Sequence, residues 1–243
     1  MKNRFKLDMY LSPQTAPLFD DLQKVVCADI DVSDCLPKSG CHPLHLGQIC
    51  GIDFANSAAG EYSYLATLEL EDRAVPAGYY RSVLVSPAKG GLAALDEFDP
   101  GRHLVAVNER GSFSGSLTFA RTVLGSGQFS FPHVEVTGSH AASLHLIARS
   151  KVMLASIDCV SFEMVTRHNH QIKEHIHVLG YTDPYPGLPF VTSGEMPKNI
   201  RSVMTERLLG FLEGKRARIW ADRLGVRGIV KLPEDSYQRM RSV

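Results

Sequence analysis

The sequence predicts an α/β protein built from two lobes, and two observations support that fold class. Apolar segments of strand length alternate with amphipathic segments of helix length along most of the chain, which is typical of α/β domains. Two extended segments, near residues 78–86 and 181–192, also flank the block of residues 87–180. Segments placed in this way would serve as two hinge strands that join two lobes.

The hinge positions set the lobe boundaries that we expect. Lobe 1 would be discontinuous, with residues 1–82 and 187–243, and lobe 2 would consist of residues 83–186. A chain of 243 residues is long enough to give each lobe a core of its own. Because pockets commonly form where domains meet, we expect a ligand in the cleft between the lobes.

Hydrophobic periodicity predicts the individual elements in chain order. In the amino-terminal part it predicts strands at residues 5–11 and 62–69 and a helix at residues 18–25. It also predicts loops at residues 31–43 and 47–51. In the middle it predicts strands at residues 78–85, 103–107, 133–136, 151–158 and 176–181, with helices starting near residues 117, 141 and 159. In the carboxy-terminal part it predicts a strand at residues 190–192, helices at 198–211 and 219–224, and a loop at 225–233. The alternation favours mainly parallel sheets.

Two of the predicted strands run into hydroxyl-rich turns that precede helices. One turn spans residues 110–116 (RGSFSGS) and the other spans residues 137–140 (TGSH). A helix N-terminus has unpaired N–H groups and partial positive charge, so two such termini would form a site for a small anion. The alternative is that the serines only cap the helices. Neither turn has the Gly-Lys-Ser/Thr sequence of a nucleotide P-loop.

Composition excludes several classes of partner. Lys plus Arg and Asp plus Glu both number 26, so no overall field attracts nucleic acid, and we expect no nucleic-acid partner. No apolar run approaches the length of a transmembrane helix, so we expect no membrane insertion. Lys6 and Asp8 interrupt the amino-terminal apolar residues, which predicts a cytoplasmic protein, or a periplasmic one if a signal was removed. Five scattered cysteines weakly favour a reducing compartment.

Three other groups of residues were weighed as metal or catalytic sites. Cys41, His42 and His45 match no familiar zinc spacing, and the histidines between His168 and His177 suit the surface at a helix end. We therefore expect no metal and no cofactor. A hydrolase formed by Ser112, His140 and Asp158 is formally possible, but the G-x-S-x-G nucleophile motif is absent.

Five segments in order resemble the phosphonate/phosphate-binding proteins of ABC importers. They are YYRSVLV at residues 79–85, S-x-S-G at 112–115, TGSH at 137–140, ASID at 155–158 and PGLP at 186–189. The resemblance implies the type 2 periplasmic binding protein fold, in which two α/β lobes close over the ligand. It also implies a solute-binding protein for a small oxyanion such as phosphonate, phosphate or phosphite, with an ABC permease as a possible partner.

The resemblance implies a role for seven residues. The anion would be held by hydroxyl, amide and imidazole donors from the two turns, namely Ser112, Ser114, Gly115, Ser139 and His140. A positively charged imidazole would strengthen that binding. No catalytic residue is implied.

The remaining two residues, Tyr80 and Asp158, would contact opposite ends of the ligand. Tyr80 would donate its hydroxyl to a phosphoryl oxygen, and Asp158 would pair with a ligand amine. Residues 47–51 would form the side of the ligand site that lobe 1 contributes. They offer Ile49 and Cys50 where the family often has a hydroxyl or aromatic donor. Two alternatives stay open: an enzyme on the same fold, of the menaquinone-pathway or thiamine-precursor type, with Asp158, His140 or Glu109 as acid or base, or a cytoplasmic ligand sensor.

Overall fold

The chain folds into two compact α/β units. A computed structural model describes residues 5–30, 44–126, 128–167, 169–233 and 235–242. The first unit comprises Met1–Tyr79 and Pro186–Arg241, and the second comprises Tyr80–Tyr185 with the terminal pair Ser242–Val243. The chain enters the main part of the second unit after Tyr79 and leaves it after Tyr185.

The described residues form twelve strands and eight α-helices. In chain order they are β1 (Phe5–Lys6), α1 (Ala16–Val26), β2 (Leu46–Gln48), α2 (Gly51–Asn56), β3 (Tyr62–Leu70), β4 (Tyr79–Tyr80), β5 (Ser82–Pro87), β6 (Val105–Val107), α3 (Thr118–Leu124), β7 (Val134–Val136), α4 (His140–Ala148), β8 (Leu154–Asp158), α5 (Cys159–Thr166), α6 (His170–Glu174), β9 (Ile176–Tyr181), β10 (Tyr185–Pro186), β11 (Pro189–Ser193), α7 (Lys198–Leu209), α8 (Lys215–Leu224) and β12 (Val226–Val230). A π-helical turn, Phe113–Leu117, leads into α3, and two 3₁₀ segments lie at Leu95–Glu97 and Ser236–Ser242.

The first unit has a five-stranded sheet in the order β1-β2-β11-β3-β12. Its helices meet at an aromatic cluster in which the Trp220 ring lies 5.2 Å from the Phe19 ring and 5.7 Å from the Phe211 ring, both edge to face. All three rings are almost completely buried. Burial of large aromatic side chains is a major contribution to core stability, so this cluster joins α1, α8 and the end of α7.

A chain of hydroxyl groups supports the β3 strand of the first unit. The Tyr237 hydroxyl donates to the Gly187 carbonyl at 2.8 Å and is bonded to Thr67 Oγ1 at 2.7 Å. Thr67 Oγ1 is in turn 2.9 Å from the Tyr64 hydroxyl. Burial raises the pKa of Tyr237 well above its ordinary value, so these groups are neutral donors and acceptors at physiological pH.

The second unit has a five-stranded sheet in the order β7-β6-β8-β5-β9. Successive residues of its central strands point to opposite faces. Val83, Val85 and Ile157 pack against α4 on one face, whereas Leu84 and Leu154 pack against α3 on the other. This alternation buries both faces of the sheet and fixes the register of β5 and β8.

The structure corrects the prediction of mainly parallel sheets. β6 is parallel to β7 and β8, but β5 is antiparallel to β8 and β9, and β11 and β12 are antiparallel to β3. The strands that enter and leave the second unit, β5 and β9, run in opposite directions and pair directly. The sheets are therefore mixed.

Three local predictions are also affected. The predicted loop at 225–233 contains β12, which pairs with β3 through a bulge between Val226 and Gly228. The predicted loop at 47–51 contains the end of β2 and the start of α2. The predicted loop at 31–43 lies outside the described residues.

We expect Tyr237→Phe to lower the free energy of unfolding by about 1–2 kcal/mol, because it removes a buried donor and leaves the Gly187 carbonyl without that bond. Urea unfolding of the purified variants measures the effect. Tyr62→Phe, at the partly exposed start of β3, serves as the control and should change the free energy by less than about 0.5 kcal/mol. Equal losses in the two variants would contradict a stabilising role of the hydroxyl chain.

Candidate functional site

Three strand ends of the second unit lie at one edge of its sheet. β6 is parallel to β7 and to β8, so their carboxyl ends point in the same direction. The turn that starts at Ser112 follows β6, residues 137–139 follow β7, and Asp158 ends β8. In α/β sheets this edge is where ligands commonly bind.

The first turn begins with a capped π-helical segment. Ser112 Oγ accepts the N–H of Gly115 at 3.1 Å, and the Ser112 carbonyl accepts the N–H groups of Ser116 and Leu117 at 3.0 and 3.1 Å. Single π turns often occur at functional sites. The first amides of the segment, those of Phe113 and Ser114, have no acceptor within the helix, so they are the backbone donors that this turn can offer to an anion.

The second turn is held in place by β6 and by its own hydroxyl groups. The Thr137 N–H bonds the Val107 carbonyl at 2.8 Å, and the Gly138 N–H bonds the Asn108 carbonyl at 2.9 Å. Ser139 Oγ caps α4 by accepting the N–H of Ala142 at 3.2 Å. The turn is therefore tied to the end of the neighbouring strand, and Ser139 has a capping role in the ligand-free protein.

The two turns meet through Ser114 and His140. Ser114 Oγ lies 3.1 Å from His140 Nε2, so sequence-predicted residues from both turns form one hydrogen bond. Asn108 lies beneath them: a Cβ atom added to Gly115 would stand 1.9 Å from Asn108 Oδ1 and 3.3 Å from His140 Cε1. Only glycine fits at this position without displacing Asn108.

Burial lowers the pKa of His140 to about 4, and the backbone of Ser156 opposes this shift. The imidazole is therefore neutral at physiological pH in the ligand-free protein. The sequence does not show how deeply the ring is buried, and the effect of a charged imidazole on anion affinity stays a prediction. Its Nδ1 atom is buried and has no hydrogen-bond partner among the described residues.

Asp158 and Tyr80, the other two predicted site residues, are also buried, at 4% and 5% exposure. Asp158 Oδ1 caps α5 by accepting the N–H of Ser161 at 3.0 Å. Asp158 lies opposite Ser82 in the β5–β8 register, on the face that carries the Ser112 turn. Tyr80 lies in β4, two residues before Ser82.

Three side chains at this edge were not predicted from the sequence. Ser82 and Ser156 donate their hydroxyls to the Ser114 carbonyl at 2.9 and 2.7 Å, and the buried oxygen Oδ1 of Asn108 has no hydrogen-bond partner among the described residues. For Ser82 and Ser156, the sequence does offer a signal, because each is a serine within a strand that is otherwise mostly apolar. Asn108 carried no comparable signal because polar residues are common directly after a strand.

The structure describes only some of the residues considered above as metal or catalytic sites. No cluster of three or more His, Cys, Asp or Glu side chains suited to a metal occurs within the described part of the chain. Cys35, Cys41, His42 and His168 lie outside the described residues, and His175 Nδ1 bonds the Gln171 carbonyl at the end of α6. His140 Nε2 faces Ser114, not the Ser112 of the hypothetical hydrolase triad.

Solved structures define the fold class. The binding protein component of a phosphonate ABC transporter from Pseudomonas aeruginosa matches with a TM-score of 0.74 at 13% identity, covering 98% of this chain and 83% of that one. PhnD1 from Prochlorococcus marinus, solved in complex with methylphosphonate, matches with a TM-score of 0.65 at 12% identity and covers 92% and 80%. XAC2383 from Xanthomonas citri, solved with a chloride ion, gives 0.60 at 13% identity, with 82% and 74% covered. The fold is that of the periplasmic binding proteins.

The family follows from the sequence match over residues 44–237. These residues match the model of the phosphonate ABC transporter periplasmic substrate-binding proteins, and the chain belongs to that family. Comparison with curated protein sequences gave no match. Among the described residues, no helix is both long and apolar enough to cross a membrane.

The lowered pKa of His140 predicts a specific loss of stability in acid. The unfolded chain binds a proton on His140 near pH 6.5, but the folded protein does so only near pH 4. The free energy of unfolding should therefore fall as pH decreases through this window, by up to about 3 kcal/mol from this residue. Urea unfolding between pH 7 and pH 4.5 measures the free energy of unfolding of the wild type and of His140→Gln. The difference between these two free energies should become smaller towards acid pH.

The exposed His145 on the same helix provides the control for this measurement. His145→Gln should keep the pH profile of the wild type, because His145 is exposed and its replacement leaves the buried His140 in place. If the wild type and His140→Gln showed parallel pH profiles, the buried neutral imidazole would be ruled out.

Proposed function

We propose that this protein is the solute-binding component of an ABC importer for phosphonates or closely related phosphorus oxyanions, and that it holds the anionic group at the two turns of the second unit. The observation that carries the proposal is the 3.1 Å contact between Ser114 and His140. It brings together hydroxyl, imidazole and backbone donors from two helix N-termini, in a chain that belongs to the phosphonate-binding family.

The chemistry of the two turns suits a phosphonyl group. Such a group offers three acceptor oxygens and needs several donors around it. Ser112 and Ser139 supply hydroxyls and the first amides of the two helices supply N–H groups. The hydrogen-bonded pair of Ser114 and His140 supplies one further donor to the anion, the Ser114 hydroxyl when His140 Nε2–H donates to Ser114 Oγ. These neutral donors stabilise an anion without the desolvation cost of a buried lysine or arginine.

Tyr80 and Asp158 extend the proposed site beyond the phosphonyl group. Tyr80 would donate its hydroxyl to the anion, and the Asp158 carboxylate would pair with an amine on the organic part of the ligand. Asp158 is buried on the same face of the sheet as the Ser112 turn. A ligand amine beside this carboxylate would form a charge-assisted hydrogen bond, and we therefore propose aminoalkyl phosphonates as preferred ligands.

An importer component delivers its ligand to a membrane permease, so the proposed partner is an ABC permease and the proposed location is the periplasm. The family description, a periplasmic substrate-binding protein, supports both. The enzyme and sensor alternatives differ in their expected behaviour: an enzyme would convert its ligand, and a sensor would bind it without a permease.

The test of this function is calorimetric titration and thermal shift of the purified protein with methylphosphonate, aminoethylphosphonate, phosphate, phosphite, sulfate and small carboxylates. A ligand at about 100 times its dissociation constant should add about 2.7 kcal/mol of stability. His140→Ala should weaken phosphonate binding about 10- to 150-fold, because a hydrogen bond to a charged oxygen contributes about 1.5–3 kcal/mol.

His145→Ala is the matched control, since His145 lies on the same helix and is exposed. It should bind phosphonate as tightly as the wild type. Stabilisation by carboxylates alone, or turnover of a bound ligand, would contradict the proposed function. Equal affinities of His140→Ala and the wild type would remove the two turns from the site.

Asp158→Asn should discriminate between ligands with and without an amine. Asparagine caps helices as well as aspartate does, so α5 should remain intact while the charge is lost. We expect aminoethylphosphonate binding to weaken at least about tenfold, the scale of a lost charge-assisted hydrogen bond, and methylphosphonate binding to change little. Calorimetry with both ligands measures this, and an equal loss for both would refute the pairing of Asp158 with the amine.

A further inference from the structure

Two buried serines occupy the centre of the second unit's sheet. Ser82 in β5 and Ser156 in β8 are 1% and 0% exposed, and their strands are adjacent. In the β5–β8 register Ser82 lies opposite Asp158 and Ser156 lies opposite Leu84. The two serines are therefore diagonal neighbours on one face. A buried hydroxyl in an apolar core is unfavourable unless it is hydrogen-bonded.

Both hydroxyls donate to the same acceptor, the carbonyl oxygen of Ser114, at 2.9 Å from Ser82 and 2.7 Å from Ser156. Thr118 Oγ1 approaches the same oxygen at 3.3 Å. The Thr118 contact is the usual bond of a helical threonine to the carbonyl four residues earlier. The two serine contacts span 32 and 42 residues of sequence, and they tie the first turn to the two strands beneath it.

We propose that Ser82 and Ser156 are positioning residues of the anion site, and we call the pair the Ser114 clamp. By holding the Ser114 carbonyl they fix the position of the Ser114 side chain against His140. They also fix the orientation of the Phe113 and Ser114 amides, the backbone donors of the π-helical turn. A displacement of about 1 Å is enough to lose a well-placed polar interaction. The inference rests on the proposed function, because the clamp acts on binding through the turn and not by touching the ligand.

Ser86 serves as a control that distinguishes positioning of the first turn from a general contribution to the stability of the fold. It lies in β5, four residues after Ser82, and is 0% exposed. Its hydroxyl donates to the Met153 carbonyl at 2.8 Å and accepts the N–H of Leu92 at 2.9 Å. Ser86 therefore has the same type of buried bond from the same strand, but its partners lie outside the two turns.

The experiment compares Ser82→Ala, Ser156→Ala, the double variant and Ser86→Ala. Three quantities are measured: the dissociation constant for methylphosphonate, hydrogen exchange of the amides at residues 112–118 without ligand, and stability in urea. Each clamp variant should weaken binding about three- to tenfold, and the double variant by about tenfold or more. Exchange within residues 112–118 should rise in the clamp variants. Ser86→Ala should lose comparable stability and keep wild-type affinity and wild-type exchange in the turn.

The outcomes separate the clamp from the proposed function. If the double variant binds methylphosphonate like the wild type, or if its exchange in the turn matches that of Ser86→Ala, the clamp is overturned. If the wild type itself binds no phosphorus oxyanion, the proposed function fails. Hydrogen exchange of the amides at residues 112–118 is then the test of whether Ser82 and Ser156 hold the turn. Faster exchange confined to residues 112–118 supports the clamp, and unchanged exchange refutes it.

Discussion

The parallel pairing of β6 with β7 and β8 is the constraint on which the candidate site depends. Because these three strands share one direction, the segments that follow them start at one edge of the sheet. Strand β7 has three residues, so an antiparallel β7 would place its turn about 10 Å away, at the opposite edge. The contact between Ser114 and His140 is possible only with the observed pairing.

Ser114 and His140, the two side chains through which the turns meet, are neutral in the ligand-free protein. Serine hydroxyls have no charge to desolvate, and burial keeps the His140 imidazole uncharged at physiological pH. A site of this kind avoids the cost of burying a cation in the absence of ligand. Under the proposed function, an anion bound next to the imidazole would make its charged form more favourable, so the site would gain electrostatic stabilisation only with the ligand present.

The sequence predicted the parts of the structure that depend on local signals, and it missed those that depend on distant ones. The family match confirms the fold class, because the strand, turn and helix signals that predict it lie close in sequence. The structure brings the predicted residues Ser114 and His140 together. The direction of β5 relative to β8, by contrast, depends on pairing between residues at least 70 positions apart in the sequence. The same is true of β12, where Gly225 before the strand and Gly228 within it are typical of a loop. It is also true of the burial that lowers the pKa of His140. Which of the seven predicted residues contact a ligand stays a prediction.

Gly115 lies in the first turn, and its lack of a side chain also matters for the contact between the two turns. The family resemblance implies that Gly115 helps to hold the anion, and in the structure Asn108 closely approaches Gly115. The Asn108 carbonyl also accepts the Gly138 N–H from the second turn. A larger residue at position 115 would displace Asn108 and so disturb both turns together. The glycine is therefore needed first for the contact between the turns, and any approach of a ligand depends on that contact.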